Sequence, residues 1–533
     1  MLVGQIVYDA TGPVQYTIDP AGKVTSFEYD QAGRRIAVIE NEVASPSSSS
    51  SSSSTECVPS DDLNRTTLFT YNADGQQVTL TAVNSSTTNQ TTTWAYGTTL
   101  STAEVASSLL LRSVAYPDSA GSSDLLSYSY NRQGERTALT DQRGCAHTYH
   151  YDGLGRAIHD CVTTLGSGVD GAIRRLSTTF EARGLPLTLS SYDNASVTSG
   201  TIVNQVRFAY NAFSQLLSDS QSHGGPVVAS TTAQVSLSYA DGSGNTIRPT
   251  GLMYPDGRVV SYDYGTTDGI NDAVSRVERL IDDDIDDSPL AEYSYLGLTS
   301  PVIVNYPEPD VKSTLASLTG TNDPDTGDLY SGVDRFGRVK DSRWYSSAST
   351  TDVARLKYGY DRSSNRTWRA DLVAGSLGKD FDELYEYDGL DRLQTMQRGV
   401  LSSGHTSISS QNFAQCWSLD STSNWHQFHE WATGSTLTLA QERHSNTVNE
   451  ITSITRTTGP FWATPGYDAA GNTTTIPKPD NPAAVYGGTY DAWNRLVKLH
   501  IPGTSETVQE HQYDARNFRT VRKNYSSGAL SET

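Results

Sequence analysis

Short segments in which apolar and polar residues alternate recur along the whole chain, and each ends at a turn sequence. In eight of them two aromatic residues stand two positions apart, as in Phe27 and Tyr29. Residues two apart on a strand point to the same face, so each segment predicts a strand with aromatic side chains on one side. Apolar residues at helical spacing occur at 102–111, where a short helix and a non-helical segment are equally compatible. The pattern predicts an all-β fold with little helix.

The turn sequence consists of an aromatic residue, Asp or Asn, two variable residues, Gly or Asn, and usually Arg. The Asp or Asn side chain can accept N–H groups two or three residues later, and the Gly or Asn tolerates a positive φ. Consecutive copies lie 21 or 23 residues apart, which fits two strands and two tight turns and predicts stacked hairpins. The clearest copies contain Tyr29, Asp30, Gly33 and Arg34; Tyr151, Asp152, Gly155 and Arg156; Tyr360 and Asp361; Tyr387, Asp388 and Arg392; Tyr467, Asp468 and Gly471; Tyr490, Asp491 and Arg495; and Tyr513 and Asp514.

These repeats resemble the Rhs, or YD-repeat, family of polymorphic-toxin, wall-associated, toxin-complex shell and teneurin proteins. The resemblance covers roughly residues 5 to 525 and implies a long sheet of stacked hairpins that spirals into a hollow shell. It implies YD repeats over 1–45, a Ser-rich flexible loop at 46–60, a continuous shell segment over 61–525 with degenerate repeats at 401–460, and a tail at 526–533. The shell is expected to be incomplete.

Complete members of that family carry a core region, rich in Asp-Pro-Leu-Gly elements, that follows the repeats and precedes a toxin domain. The sequence shows neither region, and its nearest fragment, at 322–328, stands alone in mid-chain. No self-cleavage residues can therefore be transferred to this chain. We expect the sequence to be a fragment of a longer protein, without a C-terminal core or toxin domain of its own.

Composition narrows the function. The 39 Lys and Arg residues against 60 Asp and Glu give a net charge of −21, which disfavours a nucleic-acid partner. The sequence has no apolar run long enough to span a membrane and no recognisable signal peptide. Nucleophile elbows, phosphate loops and dinucleotide fingerprints are also absent from the sequence, so we expect neither an enzyme nor a cofactor.

The four cysteines are too few for a disulfide scaffold. A hairpin that turns near residues 153 and 154 would place Cys145 and Cys161 opposite each other. The spacing therefore allows a cross-strand disulfide, two buried thiols or no contact between the two residues. Cys57 and Cys416 have no neighbouring base in the sequence, so a nucleophilic role is not indicated.

Two segments resemble metal sites without matching one. Asp282, Asp283, Asp284, Asp286 and Asp287 form a carboxylate cluster without the spacing of a calcium loop, and a solvated hairpin tip is the simpler reading. The stretch 425–430 contains His426, His429 and Glu430, with His444 farther on, but their order is not that of a zinc protease, and strand positions are the better interpretation.

The first functional hypothesis is a structural wall segment that encapsulates or presents a toxin or effector polypeptide in a secreted or cell-surface protein. Its partner would be the C-terminal polypeptide of the full-length protein, and open sheet edges would allow self-association. The alternative is a carbohydrate-binding module whose exposed aromatic rows stack on cell-surface glycans.

Overall fold

The computed structural model describes residues 2–44, 57–121, 124–240, 247–282, 288–315, 332–434 and 436–533, and nearly all of its regular structure is strand. The two helices in this part of the chain are single turns, α1 (Ile270–Ala273) and α2 (Leu372–Ser376). The segment at 102–111 is not a helix. Turns lead into a strand that starts at Ser107 and pairs with the preceding strand, where Leu111 lies opposite Tyr96.

The strands are β1 (Gln5–Tyr8), β2 (Val14–Ile18), β3 (Val24–Tyr29), β4 (Arg35–Glu40), β5 (Arg65–Tyr71), β6 (Gln77–Ala82), β7 (Gln90–Thr98), β8 (Ser107–Ala115), β9 (Leu126–Tyr130), β10 (Arg136–Thr140), β11 (Ala146–Tyr151), β12 (Ala157–Thr164), β13 (Arg175–Phe180), β14 (Pro186–Tyr192), β15 (Ile202–Tyr210), β16 (Leu216–Ser222), β17 (Gln234–Tyr239), β18 (Pro249–Met253), β19 (Val259–Asp263) and β20 (Arg279–Asp282). They continue with β21 (Pro289–Leu296), β22 (Ser300–Tyr306), β23 (Val311–Thr314), β24 (Asp341–Ser346), β25 (Thr351–Tyr360), β26 (Arg366–Asp371), β27 (Asp382–Tyr387), β28 (Leu393–Leu401), β29 (Ile408–Leu419), β30 (Trp425–Ala432), β31 (Thr436–Ser445), β32 (Ile451–Thr458), β33 (Gly466–Tyr467), β34 (Thr473–Pro477), β35 (Val485–Tyr490), β36 (Leu496–His500), β37 (Thr507–Tyr513), β38 (Arg519–Ser526) and β39 (Ala529–Glu532).

Within each of the two sheets, every strand pairs antiparallel with the strand that follows it in the chain. The strands β1 to β32 form one sheet in chain order, and β33 to β39 form a second, seven-stranded sheet. Within the described residues neither sheet closes on itself. The predicted all-β architecture of stacked hairpins is confirmed.

The hairpins share one irregularity, which lies at the tyrosine of the turn motif. Tyr29 pairs with Arg35 whereas Glu28 pairs with Ala37, so one extra residue enters the second strand. The same shift occurs at Tyr151, Tyr210, Tyr490 and Tyr513. A repeated bulge increases the local twist of a sheet, which favours curvature along the whole series.

The sheet curves far enough to return to its own beginning. Nζ of Lys23 lies 2.6 Å from Oδ1 of Asp391, which is 368 residues later in the sequence. Nε2 of Gln221 donates to Oδ2 of Asp514, which is 293 residues later. We call β1–β17 the first coil, β25–β39 the returning coil, and the zone of contact between them the seam. Two clusters of buried apolar side chains straddle the seam; they are Cys57, Ala414, Cys416 and Trp431, and Cys145, Val162 and Ala492.

Candidate functional site

Each turn motif is held by one carboxylate that accepts several N–H groups. At Asp491, Oδ1 accepts the backbone N–H groups of Trp493 and Arg495, both at 3.0 Å, and Oδ2 accepts Nε of Arg495 at 2.6 Å. Asn494, the residue between them, has a φ of 61°, which Asn tolerates better than most side chains. The backbone closes the turn from Asn494 N to Asp491 O at 3.2 Å. The carboxylate therefore specifies the turn and the ion pair together.

The other predicted motif residues have the same arrangement. Gly33, Gly155 and Gly471 have φ values of 76°, 77° and 80° at the position that Asn494 occupies. The carboxylates that accept backbone N–H groups in this way are Asp30, Asp152, Asp361, Asp388, Asp468 and Asp514.

The first and fifth residues of the turn are chemically complementary in many of the described repeats. Where the first residue is Asp, an acceptor, the fifth is often a donor, as in Asp388 with Arg392 or Asp468 with Asn472. Where the first residue is Asn, its Nδ2 donates to an acceptor at the fifth position; these pairs are Asn72–Gln76, Asn131–Glu135, Asn211–Gln215 and Asn446–Glu450. In Asp514, whose fifth residue is Phe518, Arg516 supplies the donor instead. The return of the arginine to the Asp could be expected from the sequence, but the pairing of Asn with an acceptor at the fifth position was missed, although the residue identities alone contain it.

Tyrosine and arginine connect each turn to its neighbours in the sheet. The Tyr513 hydroxyl donates to the carbonyl of Leu496 at 2.8 Å, one repeat back. Arg495 Nη1 donates forward to the carbonyl of Asp514 at 3.3 Å, and its guanidinium lies 5.2 Å from the centre of the Tyr513 ring. The backward tyrosine bond recurs at Tyr29, Tyr151, Tyr360, Tyr387 and Tyr490. Tyr467 differs, since its hydroxyl accepts the N–H of Ile451.

Some turns of the returning coil are far more buried than turns of the first coil with similar sequences, although Asp468 of the returning coil is 22% exposed. The side chains of Asp30 and Asp152, in the first coil, are 22% exposed. Those of Asp388 and Asp491, in the returning coil, are 2% and 1% exposed. The reason is that the turns at Asp388 and Asp491 sit on the first coil, where Lys23 and Arg143 donate to their carbonyls, whereas those at Asp30 and Asp152 lie on the opposite rim.

The seam is held by polar contacts around a small apolar core. Trp493 Nε1 donates to Asp160 Oδ2 at 2.8 Å, and Nδ1 of His147 lies 2.7 Å from Asp160 Oδ1. The guanidinium of Arg143 donates to the carbonyl of Asp491 at 3.1 Å. Near the end of the seam, Asn204 Nδ2 donates to the carbonyl of Tyr513 at 2.8 Å. These contacts between side chains and carbonyl groups fix the register of one coil relative to the other.

A short extended segment crosses the seam at another point. Residues 57–62, which we call the strap, lie beside β29. Asp61 N donates to the carbonyl of Leu419 at 2.7 Å, and Leu419 N donates to Ser60 Oγ at 3.0 Å. Cys57 and Cys416 form a disulfide with a Cα–Cα distance of 5.9 Å and a sequence separation of 359. No local signal in the sequence indicates this pair, because only the return of the sheet brings the two residues together.

Cys145 and Cys161 do not form the cross-strand disulfide that their spacing allowed; both are free and buried. The bulge in this hairpin pairs Cys161 with Thr148, and Sγ of Cys145 instead accepts the N–H of Gly166 at 3.2 Å. Burial raises the pKa of the Cys145 thiol and raises that of Cys161 to about 11, so both stay protonated at neutral pH.

The candidate metal residues are placed as follows. Asp282 is buried and paired with Arg258, while Asp283, Asp284, Asp286 and Asp287 lie outside the described residues. The histidines of 425–430 are on β30, and the rings of His426 and His444 meet edge to face at 6.0 Å. His429, three positions after His426, faces Cys416. Among the described residues, Cys57, Cys416 and His429 are the one group of three ligand-type side chains close enough to share an ion.

Comparison with known proteins agrees with this geometry. The RHS repeat model matches residues 8–41, which span the first two tyrosine turns. The resemblance to the Rhs family is confirmed. No curated protein sequence matches the chain.

Solved structures share this fold of stacked hairpins at low sequence identity. A Photorhabdus luminescens Tc holotoxin pore with a mutated TccC3 component is 10% identical, with a TM-score of 0.57 over 98% of this chain and 26% of that one. A TcdB2–TccC3 crystal structure is 10% identical, with a TM-score of 0.56 over 99% and 27%. The chain thus spans about a quarter of the length of these proteins. Among the described residues, no helix combines the length and apolar character needed to cross a bilayer.

Proposed function

We propose that this Rhs-repeat chain is a wall segment whose curved sheet encloses or presents a polypeptide. The observation that carries the proposal is the seam, since a sheet that returns onto itself with paired side chains forms a continuous wall rather than a row of separate modules. The similar solved structures include a Tc holotoxin pore and a TcdB2–TccC3 structure without its hypervariable C-terminal region. We propose that the enclosed or presented polypeptide is a C-terminal region contributed by the protein to which this chain belongs.

We further propose that the wall works in a secreted or cell-surface protein. A structural disulfide between Cys57 and Cys416 is typical of oxidising compartments. The role we assign is mechanical, because the motif carboxylates are occupied by the N–H groups and guanidinium groups of their own turns, as at Asp388 with Leu390 and Arg392.

Glycan binding ranks second as a function. Stacking on a sugar needs open ring faces, yet guanidinium groups cover several aromatic rings, such as Arg156 over Phe180 at 4.0 Å and Arg366 over Tyr358 at 4.2 Å. Retention of the purified chain on a glycan array, lost when exposed Trp344 is replaced by alanine, would move this function to first place.

Enclosure is tested by proteolysis of the intact natural protein that contains this chain. We expect polypeptide outside the repeats to resist proteinase K in the parent protein and to become sensitive in Trp493→Ala, which opens the seam. Trp344→Ala, outside the seam, is the matched control. In this variant the polypeptide outside the repeats should resist proteinase K as well as it does in the parent. Equal digestion of parent and Trp493→Ala would contradict enclosure and leave presentation as the function.

A further inference from the structure

Three separate parts of the chain bring ligand-type atoms together beside the strap. Cys416 on β29 and His429 on β30 are directly opposite each other in the sheet, and the strap adds Cys57. The two Sγ atoms and a ring nitrogen of His429 all lie within 4.8 Å of one another. Two cysteines and one histidine are a ligand set typical of zinc, which accepts thiolate sulfur and imidazole nitrogen in tetrahedral sites.

The surroundings suit a buried, charge-neutral site. Cys57 and Cys416 are 8% and 2% exposed, and Ala414 and Trp431 pack against them. The ring of His429 meets that of Trp431 edge to face at 5.8 Å, which limits its rotation. The backbone N–H of Cys57 donates to Sγ of Cys416 at 3.1 Å, an interaction that also stabilises a thiolate.

We propose that, when the Cys57–Cys416 disulfide is reduced, the two cysteines and His429 bind one Zn²⁺ ion. A dithiol reductant breaks the S–S bond, becomes a disulfide itself, and leaves two thiols. Zn²⁺ then displaces one proton from each thiol and accepts a lone pair from the neutral imidazole, so that two thiolates balance the charge of the ion. Water completes the fourth position.

The disulfide and the metal are alternative ways to tie the strap to β29 and β30. The Cα atoms of Cys57 and Cys416 are 5.9 Å apart, so the sulfurs can separate to the spacing of zinc ligands without large movement of the backbone. Reducing compartments disfavour the disulfide and oxidising ones restore it. The site would therefore hold the seam together in both environments.

The experiment uses the 533-residue chain carrying Cys145→Ser and Cys161→Ser, which removes the two other cysteines. The chain is reduced with a phosphine, freed of reductant and titrated with Zn²⁺, and then with Co²⁺ as a spectroscopic probe. We expect one Zn²⁺ per chain and, with Co²⁺, the charge-transfer and visible bands of a four-coordinate thiolate complex. The oxidised chain should bind neither ion.

Two variants separate this site from non-specific binding by thiols. His429→Gln should bind Zn²⁺ at least ~100-fold more weakly, beyond the 10- to 100-fold effect of changing a residue that only supports a ligand. His426→Gln, which changes another partly buried histidine of the same strand, should bind as the parent does. The oxidised His429→Gln chain should melt like the oxidised parent, which establishes that it folds. Absence of stoichiometric binding by the reduced parent, or unchanged affinity in a folded His429→Gln chain, would overturn the proposal.

Discussion

The indole of Trp493 donates a hydrogen bond to the carboxylate of Asp160 at 2.8 Å, although 333 residues separate the two in sequence. Trp493 belongs to a turn of the returning coil and Asp160 to strand β12 of the first coil. We expect Trp493→Phe to lower the free energy of unfolding by about 1–3 kcal/mol, because a partly buried charged acceptor loses a donor. Hydrogen exchange should accelerate on both sides of the seam, in β11–β12 and in β35–β36.

Trp344 provides the control for that variant. It is 38% exposed on β24 and stacks on Tyr306 at 6.0 Å, away from the seam. Trp344→Phe should leave exchange at the seam unchanged. Faster exchange confined to residues 490–495 in Trp493→Phe would contradict a mechanical link between the coils.

The complementarity of turn positions predicts a compensating double substitution. Asp491→Asn removes the charge beside Arg495, whose side chain is 7% exposed, and should cost about 3 kcal/mol of stability. Adding Arg495→Gln recreates the Asn–Gln pair found at Asn72 and Gln76 and should recover most of that loss. Urea unfolding of the two single variants and the double variant measures the coupling; additive losses would show that the rule has no energetic content.

The tyrosine hydroxyl of the motif is expected to contribute a modest but measurable stability. Tyr513→Phe leaves the carbonyl of Leu496 without its 2.8 Å donor and should cost about 1 kcal/mol. Tyr8→Phe is the matched substitution at a tyrosine that is 60% exposed, and it should change stability little. Both are compared by urea midpoint, and equal effects would argue against the backward bond.

The strap disulfide closes a segment of 359 residues, so its removal should have a large effect. We expect Cys416→Ser to lower stability by up to about 6 kcal/mol in the absence of metal and reductant, on a chain-entropy estimate. Reductant with a chelator should abolish the difference between the parent and this variant. Cys161→Ser, which changes a buried free thiol, should differ from the parent equally with and without reductant.

Acid should weaken the rim of the first coil. The backbone N–H of Arg34, which donates to the carboxylate of Asp30, holds the pKa of Asp30 below the ordinary value of 3.8, and the guanidinium of Arg156 lowers the pKa of Asp152. The folded chain therefore binds fewer protons at these groups than the unfolded chain. Their stabilisation is complete above about pH 4 and is lost as pH falls through the lowered pKa values.

Urea unfolding between pH 2 and pH 5 measures this loss. The variant Asp30→Asn with Asp152→Asn should show a shallower decline of stability with acid than the parent does. An identical slope in the two chains would mean that these carboxylates do not contribute.

The sequence predicted the hairpin series well because each repeat is a local structure. Asp30 and Gly33 specify their turn within six residues, and the aromatic spacing specifies the strand that enters it. Burial of Asp491 could not be predicted in the same way, since its turn reads like that of Asp30. Which turns become buried depends on how many strands the sheet needs to return to its start, a sum of small twists that no single repeat encodes.

The same reason explains the cysteines. The proximity of Cys145 and Cys161 was inferred from one hairpin, and a bulge of one residue was enough to change their register. The pairing of Cys57 with Cys416 joins the first coil to the returning coil across 359 residues. The spacing of residues within single hairpins therefore cannot predict this disulfide.

The unequal burial of the turns gives the wall a direction. In the seam, turns of the returning coil contact the ends of first-coil strands that lie opposite the equivalent turns. The two edges of the sheet are therefore different and complementary. Equivalent turns at Asp30 and Asp152 stand unoccupied on the outer rim. Any further layer of the same repeats would therefore have to stack with a single polarity, and an inverted layer would find turns facing turns.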